Sequence, residues 1–340
     1  MEKRYLFIDQ LRALAIYLII FGHNDYNSYF GEYLSSFRLP LFFIISGMVA
    51  RSKEKVSLVD FLKKYSKRLL VPYFAISILL YGFWLFIGRH YGHSADVAYD
   101  PIKNFIGIFY AQGGPEYMNW GIPMWFLPAL FMVMFFDFLV SRLPFKYRFI
   151  PALLYPIAGL YIYKTIGFHL PWSVDVALSV YGFYFFGALL RRINFIDFLS
   201  GLVKPLVFFI VFFVLHYFCS KYNGRVLYYY GEYGNFPIMY LNGILGFMWA
   251  FALFKILPTS SLLVWVGRNT LPLLAFHLSA MTVLKAIALW GFGIELQFSL
   301  WLSLLYGVLQ IIILIPFILL LNRYFPFLVG NHQRKHSEKK

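Results

Sequence analysis

Long apolar runs separated by short polar connections recur from one end of the chain to the other. Ten of them approach or reach spanning length, at residues 5–23, 37–50, 69–90, 124–141, 149–165, 172–190, 203–220, 235–256, 269–290 and 298–322. A bilayer's hydrocarbon core is about 30 Å thick, so a helix needs roughly 20 apolar residues to cross it. A helix also satisfies its own backbone hydrogen bonds, which lipid cannot do. The pattern therefore predicts an all-α integral membrane protein with about ten transmembrane helices in a single bundle. Residues 1–330 form the transmembrane domain, and 331–340, NHQRKHSEKK, read as a basic, disordered tail near the headgroups.

The second run is the shortest, and its 14 residues leave open a broken or re-entrant helix. Charge favours a crossing, because otherwise the basic segment 51–68 would share a side with residues 24–36, which hold Asp25 and Glu32 and no Lys or Arg. With ten crossings, 22 of the 30 Lys and Arg fall on the side of the two termini, 6 fall opposite, and Arg12 and Arg38 stay within the membrane. Both termini are thus expected in the cytoplasm, most simply in a bacterial cytoplasmic membrane. The longest outer connection, 91–123, holds His93, Asp96, Asp100, Glu116 and Trp120, and its length suits a lid or a binding element.

Composition agrees: 61% of residues are hydrophobic and 13% charged, too apolar for soluble domains. The net charge of +15 lies in short loops and the tail, so it marks orientation and calls for no nucleic acid. One cysteine, Cys219, excludes an intramolecular disulfide and a multi-cysteine metal site. The start of the chain lacks a small-residue cleavage pattern, so the first helix is expected to stay.

That first helix carries the candidate chemistry. Asp9, Arg12 and His23 interrupt an otherwise apolar span, and each ionisable group costs roughly 2.5–3.5 kcal/mol to insert. Eleven residues bring Arg12 and His23 back to within about 20° of one face, with about 16 Å of rise between them. Asp9 stands three residues before Arg12 and can pair with it. A polar stripe of this kind faces a cavity or partners in a bundle; an interfacial Asp–Arg anchor with a helix-end His is the alternative. Ser46 and Gly47 permit close helix approach or backbone access to a ligand. Arg268 and Asn269 open the ninth run, with His277 about two turns further in. His216, in a continuous apolar run, reads as structural. Nucleophile-elbow, zinc-protease, Walker and dinucleotide signatures are absent, and the eight histidines lack metal-ligand spacing, so no metal is expected.

Residues 8–23, IDQLRALAIYLIIFGH, resemble the R-x10-H motif that opens the acyltransferase-3 family of integral-membrane enzymes. FRLPLFFIISG at 37–47 resembles that family's next block. WFLPAL at 125–130, YFFGALLRR at 184–192 and VGRNTLPLLAFH at 266–277 are similar to its fucose 4-O-acetylase-like branch. Arg38 departs from that branch, which commonly has His there. The resemblance implies a membrane O-acetyltransferase that takes acetyl from cytoplasmic acetyl-CoA and delivers it to a cell-surface or lipid-linked carbohydrate. His23 would then accept the hydroxyl's proton or carry the acyl group, and Arg12, fixed by Asp9, would orient the thioester or neutralise developing charge. Lys64, Lys67 and Arg68, in the basic stretch 63–68, would meet the coenzyme's phosphates with Ser46 and Arg268. Glu116, Trp125, Asp175 and His277 are the candidate acceptor contacts. An exporter of a lipid-linked or polymeric glycan would want a similar cavity and is the competing class.

Overall fold

A computed structural model describes residues 5–24, 29–50, 54–90 and 96–330. The expected tail at 331–340 lies outside the described residues, as do Lys3, Arg4, Asp25, Arg51, Lys53 and His93. The helices of eight or more residues are α1 (Leu6–Asn24), α2 (Tyr29–Met48), α3 (Leu58–Tyr65), α4 (Val71–Phe86), α5 (Pro101–Tyr110), α6 (Phe126–Val140), α7 (Phe149–Ile166), α8 (Val174–Arg192), α9 (Val203–Ser220), α10 (Phe236–Ile256), α11 (Ser261–Arg268), α12 (Thr270–Ala286) and α13 (Leu300–Tyr324). The described residues include no strand, only one isolated bridge between Leu227 and Glu232.

Nine helical stretches among the described residues are long and apolar enough to cross a membrane, and they match nine of the ten expected runs. The tenth, α2, begins eight residues earlier than the apolar run that announced it and reaches 20 residues. At about 1.5 Å per residue it spans about 30 Å. Glu32, Ser35, Ser36 and Arg38 dilute its hydropathy and hid its first two turns.

A π-helical turn, Ser66–Leu70, joins α3 to α4. Pro72 has no N–H to give, so the ladder breaks there, and the Val71 N–H reaches five residues back to the Ser66 carbonyl.

The chain divides into two compact units. One comprises Met1–Ala50, Phe183–Leu227 and Glu232–Pro316, the other Arg51–Gly182, Tyr228–Gly231 and Phe317–Lys340. In the first, backbones touch where glycine removes the side chain. A Cβ on Gly47 would stand 1.9 Å from the Tyr184 carbonyl, and one on Gly187 would stand 1.9 Å from the Ile44 carbonyl. This reciprocal contact locks α2 onto the C-terminal half of α8. In lipid such dispersion contacts replace the hydrophobic effect as the force between helices, because hydrocarbon tails are as apolar as Leu. In the second unit the buried Phe61 of α3 packs against Phe138 of α6 at 4.7 Å. Arg148 bonds Glu54 at 2.7 Å and the Ser141 carbonyl at 2.8 Å, which pins the turn after α6. Helices α7 and α9 keep large apolar side chains such as Leu153, Ile157, Ile210 and Phe218 exposed, as helices solvated by lipid do.

Candidate functional site

Asp9, at the start of α1, is buried, and both its oxygens are engaged. Arg12 Nη1 lies 3.5 Å from Oδ1, and Arg268 Nε lies 3.2 Å from Oδ2. The Arg12 side chain is 24% exposed and that of Arg268 45%, against 3% for Asp9, so the two guanidinium groups share one buried anchor and open outward. One carboxylate thus holds two cationic side chains in place. An unpaired buried carboxylate would cost several kcal/mol, so the arginines also retain Asp9 in its place.

Arg268 reaches α1 because of the residue before it. A Cβ on Gly267 would stand 1.7 Å from the Asp9 carbonyl oxygen, so α11 lies directly on the backbone of α1. Gln10 closes the other end of this contact: its Nε2 donates to the Pro258 carbonyl at 3.3 Å, and its Oε1 accepts from the Ser260 N–H at 2.9 Å. Ser260 then caps α11 by accepting from Leu263 N–H. Adjacent Asp9 and Gln10 thus clamp the short helix that carries Arg268. Sequence reasoning passed over Gln10, although a second polar residue beside Asp9 in a spanning helix was the signal.

At the far end of α1 the His23 ring is exposed and stands 5.1 Å from that of His277, centre to centre, at 49°. His277 on α12 is fully buried. Its Nδ1 faces the Leu274 carbonyl at 2.9 Å and the Leu273 carbonyl at 3.1 Å. Two acceptors require that Nδ1 carry the proton, so in the neutral ring Nε2 is a lone pair, and it has no hydrogen-bond partner. Gly22, beside His23, leaves room for Arg38: a Cβ there would stand 1.2 Å from Arg38 Nη1. Asn24 ties down the end of the helix. Its carbonyl accepts from Ser303 at 2.9 Å, and its Oδ1 accepts from Gln310 Nε2 at 2.9 Å. Ser303 and Gln310 are polar residues in the most apolar span of the chain, a signal the sequence offered.

The structure therefore brings Asp9, Arg12 and Arg268 together, and separately His23 and His277. Ser46 is half-buried beside Gly47. The remaining candidates belong to the other unit. Lys64, Lys67 and Arg68 are all exposed around the π turn, with Lys64 Nζ 5.2 Å from the Tyr65 ring centre. Trp125 is buried, and its ring lies 6.4 Å from that of Tyr229. Glu116 is exposed and bonds Lys103, holding that ammonium above its ordinary range through the hydrogen bond. Asp175 is fully buried, bonded to His169 Nδ1 at 2.7 Å and to the Leu170 N–H at 2.9 Å. His169 escaped the sequence reading because it sits in a short connection with no motif around it.

A family model described as an acyltransferase domain matches residues 5–327. Comparison with curated proteins and with solved structures returns no match. The matched span takes in the arginine pair on Asp9, the facing histidines and all the membrane-spanning helices, and the chain belongs to the acyltransferase-3 family of multi-pass membrane acyltransferases.

Proposed function

We propose that this acyltransferase moves an acetyl group from cytoplasmic acetyl-CoA to a hydroxyl of a cell-surface or lipid-linked carbohydrate, in a bacterial cytoplasmic membrane with both chain ends inside. The observation that carries the reading is the His23–His277 pair, an exposed imidazole beside a buried one that keeps a ring nitrogen open. In the reaction the acceptor oxygen attacks the thioester carbonyl while His23 takes the hydroxyl proton. The tetrahedral intermediate then collapses, the C–S bond breaks, and the thiolate leaves and takes up a proton as free coenzyme. A positioned base gives typically 10²- to 10⁴-fold in such a step. Arg12 and Arg268, held by Asp9, supply fixed positive charge for the donor, and planar forks suit its phosphates or carbonyl better than a lysine point charge. Lys64, Lys67 and Arg68 form a cationic surface on the other unit that draws the polyanionic coenzyme.

Donor dependence tests the proposal. Purified protein in lipid nanodiscs, given [14C]acetyl-CoA and an envelope carbohydrate fraction, should place label on the carbohydrate as an ester that mild base removes. Movement of glycan across vesicles without acetyl-CoA, and no labelled ester with it, would replace the transferase by the exporter.

A further inference from the structure

Three histidines of the described chain are buried, and they divide by whether the second ring nitrogen has a partner. His216 uses both nitrogens. His169 does not: its Nδ1 is bonded to Asp175 at 2.7 Å, while Nε2 is buried and without a hydrogen bond. Everything around His169 serves to aim the ring. The second oxygen of Asp175 is fixed by the Leu170 N–H, the Tyr163 ring stacks on the imidazole at 4.5 Å and 18°, and Tyr110 donates to the His169 carbonyl at 2.6 Å. The His169 side chain is 4% exposed and that of Asp175 fully buried. An imidazole oriented by a carboxylate with one nitrogen left over is how proteins present a base or an acceptor to a ligand.

The connection that carries His169 is also strained. Trp172 and Ser173 hold φ values of 59° and 51°, and Ala111, which accepts from Ser173 Oγ at 3.0 Å, holds 55°. These are three of the five non-glycine residues with positive φ among the described residues. Trp172 Nε1 donates to the Phe109 carbonyl at 2.9 Å and helps keep the segment in this form. Strain of this kind clusters at ligand sites, and a buried nitrogen with no partner carries a desolvation cost that a bound hydroxyl would relieve.

We propose that His169, aimed by Asp175, binds a hydroxyl of the carbohydrate acceptor through Nε2 when the 167–173 connection opens. Asp175 acts only through the ring, because both its oxygens are already bonded within the protein. The proposal rests on the carbohydrate-acceptor reading above and names a residue of the second unit that would recognise such a hydroxyl.

Two amide replacements separate the nitrogens. In His169→Asn the side-chain amide replaces Nδ1 and keeps a donor for Asp175 but has nothing at Nε2; in His169→Gln the amide oxygen can take the Nε2 position as an acceptor and the Asp175 bond is lost. Each variant, purified in nanodiscs, is assayed for thermal midpoint, equilibrium binding of [3H]acetyl-CoA, and transfer of labelled acetyl to the envelope carbohydrate fraction over a range of carbohydrate concentration. His169→Asn should keep its midpoint and donor affinity while the carbohydrate KM rises by about tenfold, the loss of one hydrogen bond, and His169→Gln should retain more of the acceptor affinity. A purely structural pair predicts the opposite order, with Asn harmless and Gln damaging, and that order overturns the proposal. If His169→Asn fails to fold, Asp175→Asn is read by the same split, and an unchanged carbohydrate KM there sinks the idea. A wild type that binds acetyl-CoA but labels no carbohydrate removes the acceptor reading itself, and this proposal with it.

Discussion

Two polar regions of one compact unit use histidine in opposite ways. Around His216 both ring nitrogens are committed. Trp249 Nε1 donates to Nδ1 at 3.0 Å, which makes that nitrogen an acceptor and leaves the proton on Nε2, where it meets Ser36 Oγ at 2.9 Å; Ser36 in turn donates to the Tyr33 carbonyl at 2.6 Å. Aromatic rings close the cluster, with Tyr33 4.5 Å and Phe37 5.0 Å from the imidazole. Such an imidazole has no lone pair to offer, and it is fully buried. It ties α2, α9 and α10 together, and buried hydrogen bonds that commit both nitrogens serve to specify packing. Around His23 the ring is open, its neighbour His277 keeps a bare Nε2, and the same helix begins with a carboxylate, Asp9, that holds two partly exposed guanidinium groups, Arg12 and Arg268 of α11. The difference teaches that burial alone does not separate structural from functional histidines; the number of nitrogens already committed does.

Among substitutions away from His23, Arg12→Lys is the variant expected to damage transfer most while sparing the fold. A lysine keeps the charge beside Asp9 but not the planar fork, and transfer should fall by about 100-fold at unchanged thermal midpoint, on the scale of losing one fixed donor to developing charge. Full activity in Arg12→Lys would reduce the arginine to a topological charge. His277→Phe comes next. It preserves ring volume and removes the bare nitrogen, and about tenfold slower transfer, measured as kcat with labelled acetyl-CoA, is expected if that nitrogen makes one hydrogen bond to substrate during the reaction. Neutralising Lys64, Lys67 and Arg68 together to Gln should weaken acetyl-CoA binding several-fold at low salt, and the deficit should shrink as ionic strength rises toward 1 M, where the Debye length is about 3 Å. Equal affinity at every salt concentration would leave those charges to orientation alone. His216→Phe sharpens the comparison from the other side. It orphans the Trp249 N–H, at a cost of about 1–3 kcal/mol, so the thermal midpoint should drop while transfer per folded molecule stays near wild type.

Much of this was legible in the chain. The stripe Asp9, Arg12 and His23 follows from helical spacing, and hydropathy located nine spans whose bounds moved by only a residue or two at most ends. What stayed hidden depends on contacts between distant segments. Arg268 joins Asp9 only because Gly267 lets one backbone lie on another, and no periodicity announces that meeting. The first two turns of α2 were concealed by Glu32, Ser35 and Ser36; the two serine hydroxyls are met within the protein, by the Glu32 carbonyl and by His216, rather than by water. Asp175 was singled out through the family resemblance, but its oxygens are spent on His169 and Leu170, so the group that remains open is the histidine in GFHLPW, which no motif marks.

The central claim is that His23, the open imidazole at the end of α1, performs the transfer. It is tested most directly by His23→Ala, purified in nanodiscs and shown by thermal midpoint and [3H]acetyl-CoA binding to be folded and loaded, then assayed for acetyl transfer to the envelope carbohydrate fraction. Transfer reduced by about 10²- to 10⁴-fold, with donor binding intact, is the expected result for a lost general base. Near wild-type transfer by the folded, donor-loaded variant would contradict the account.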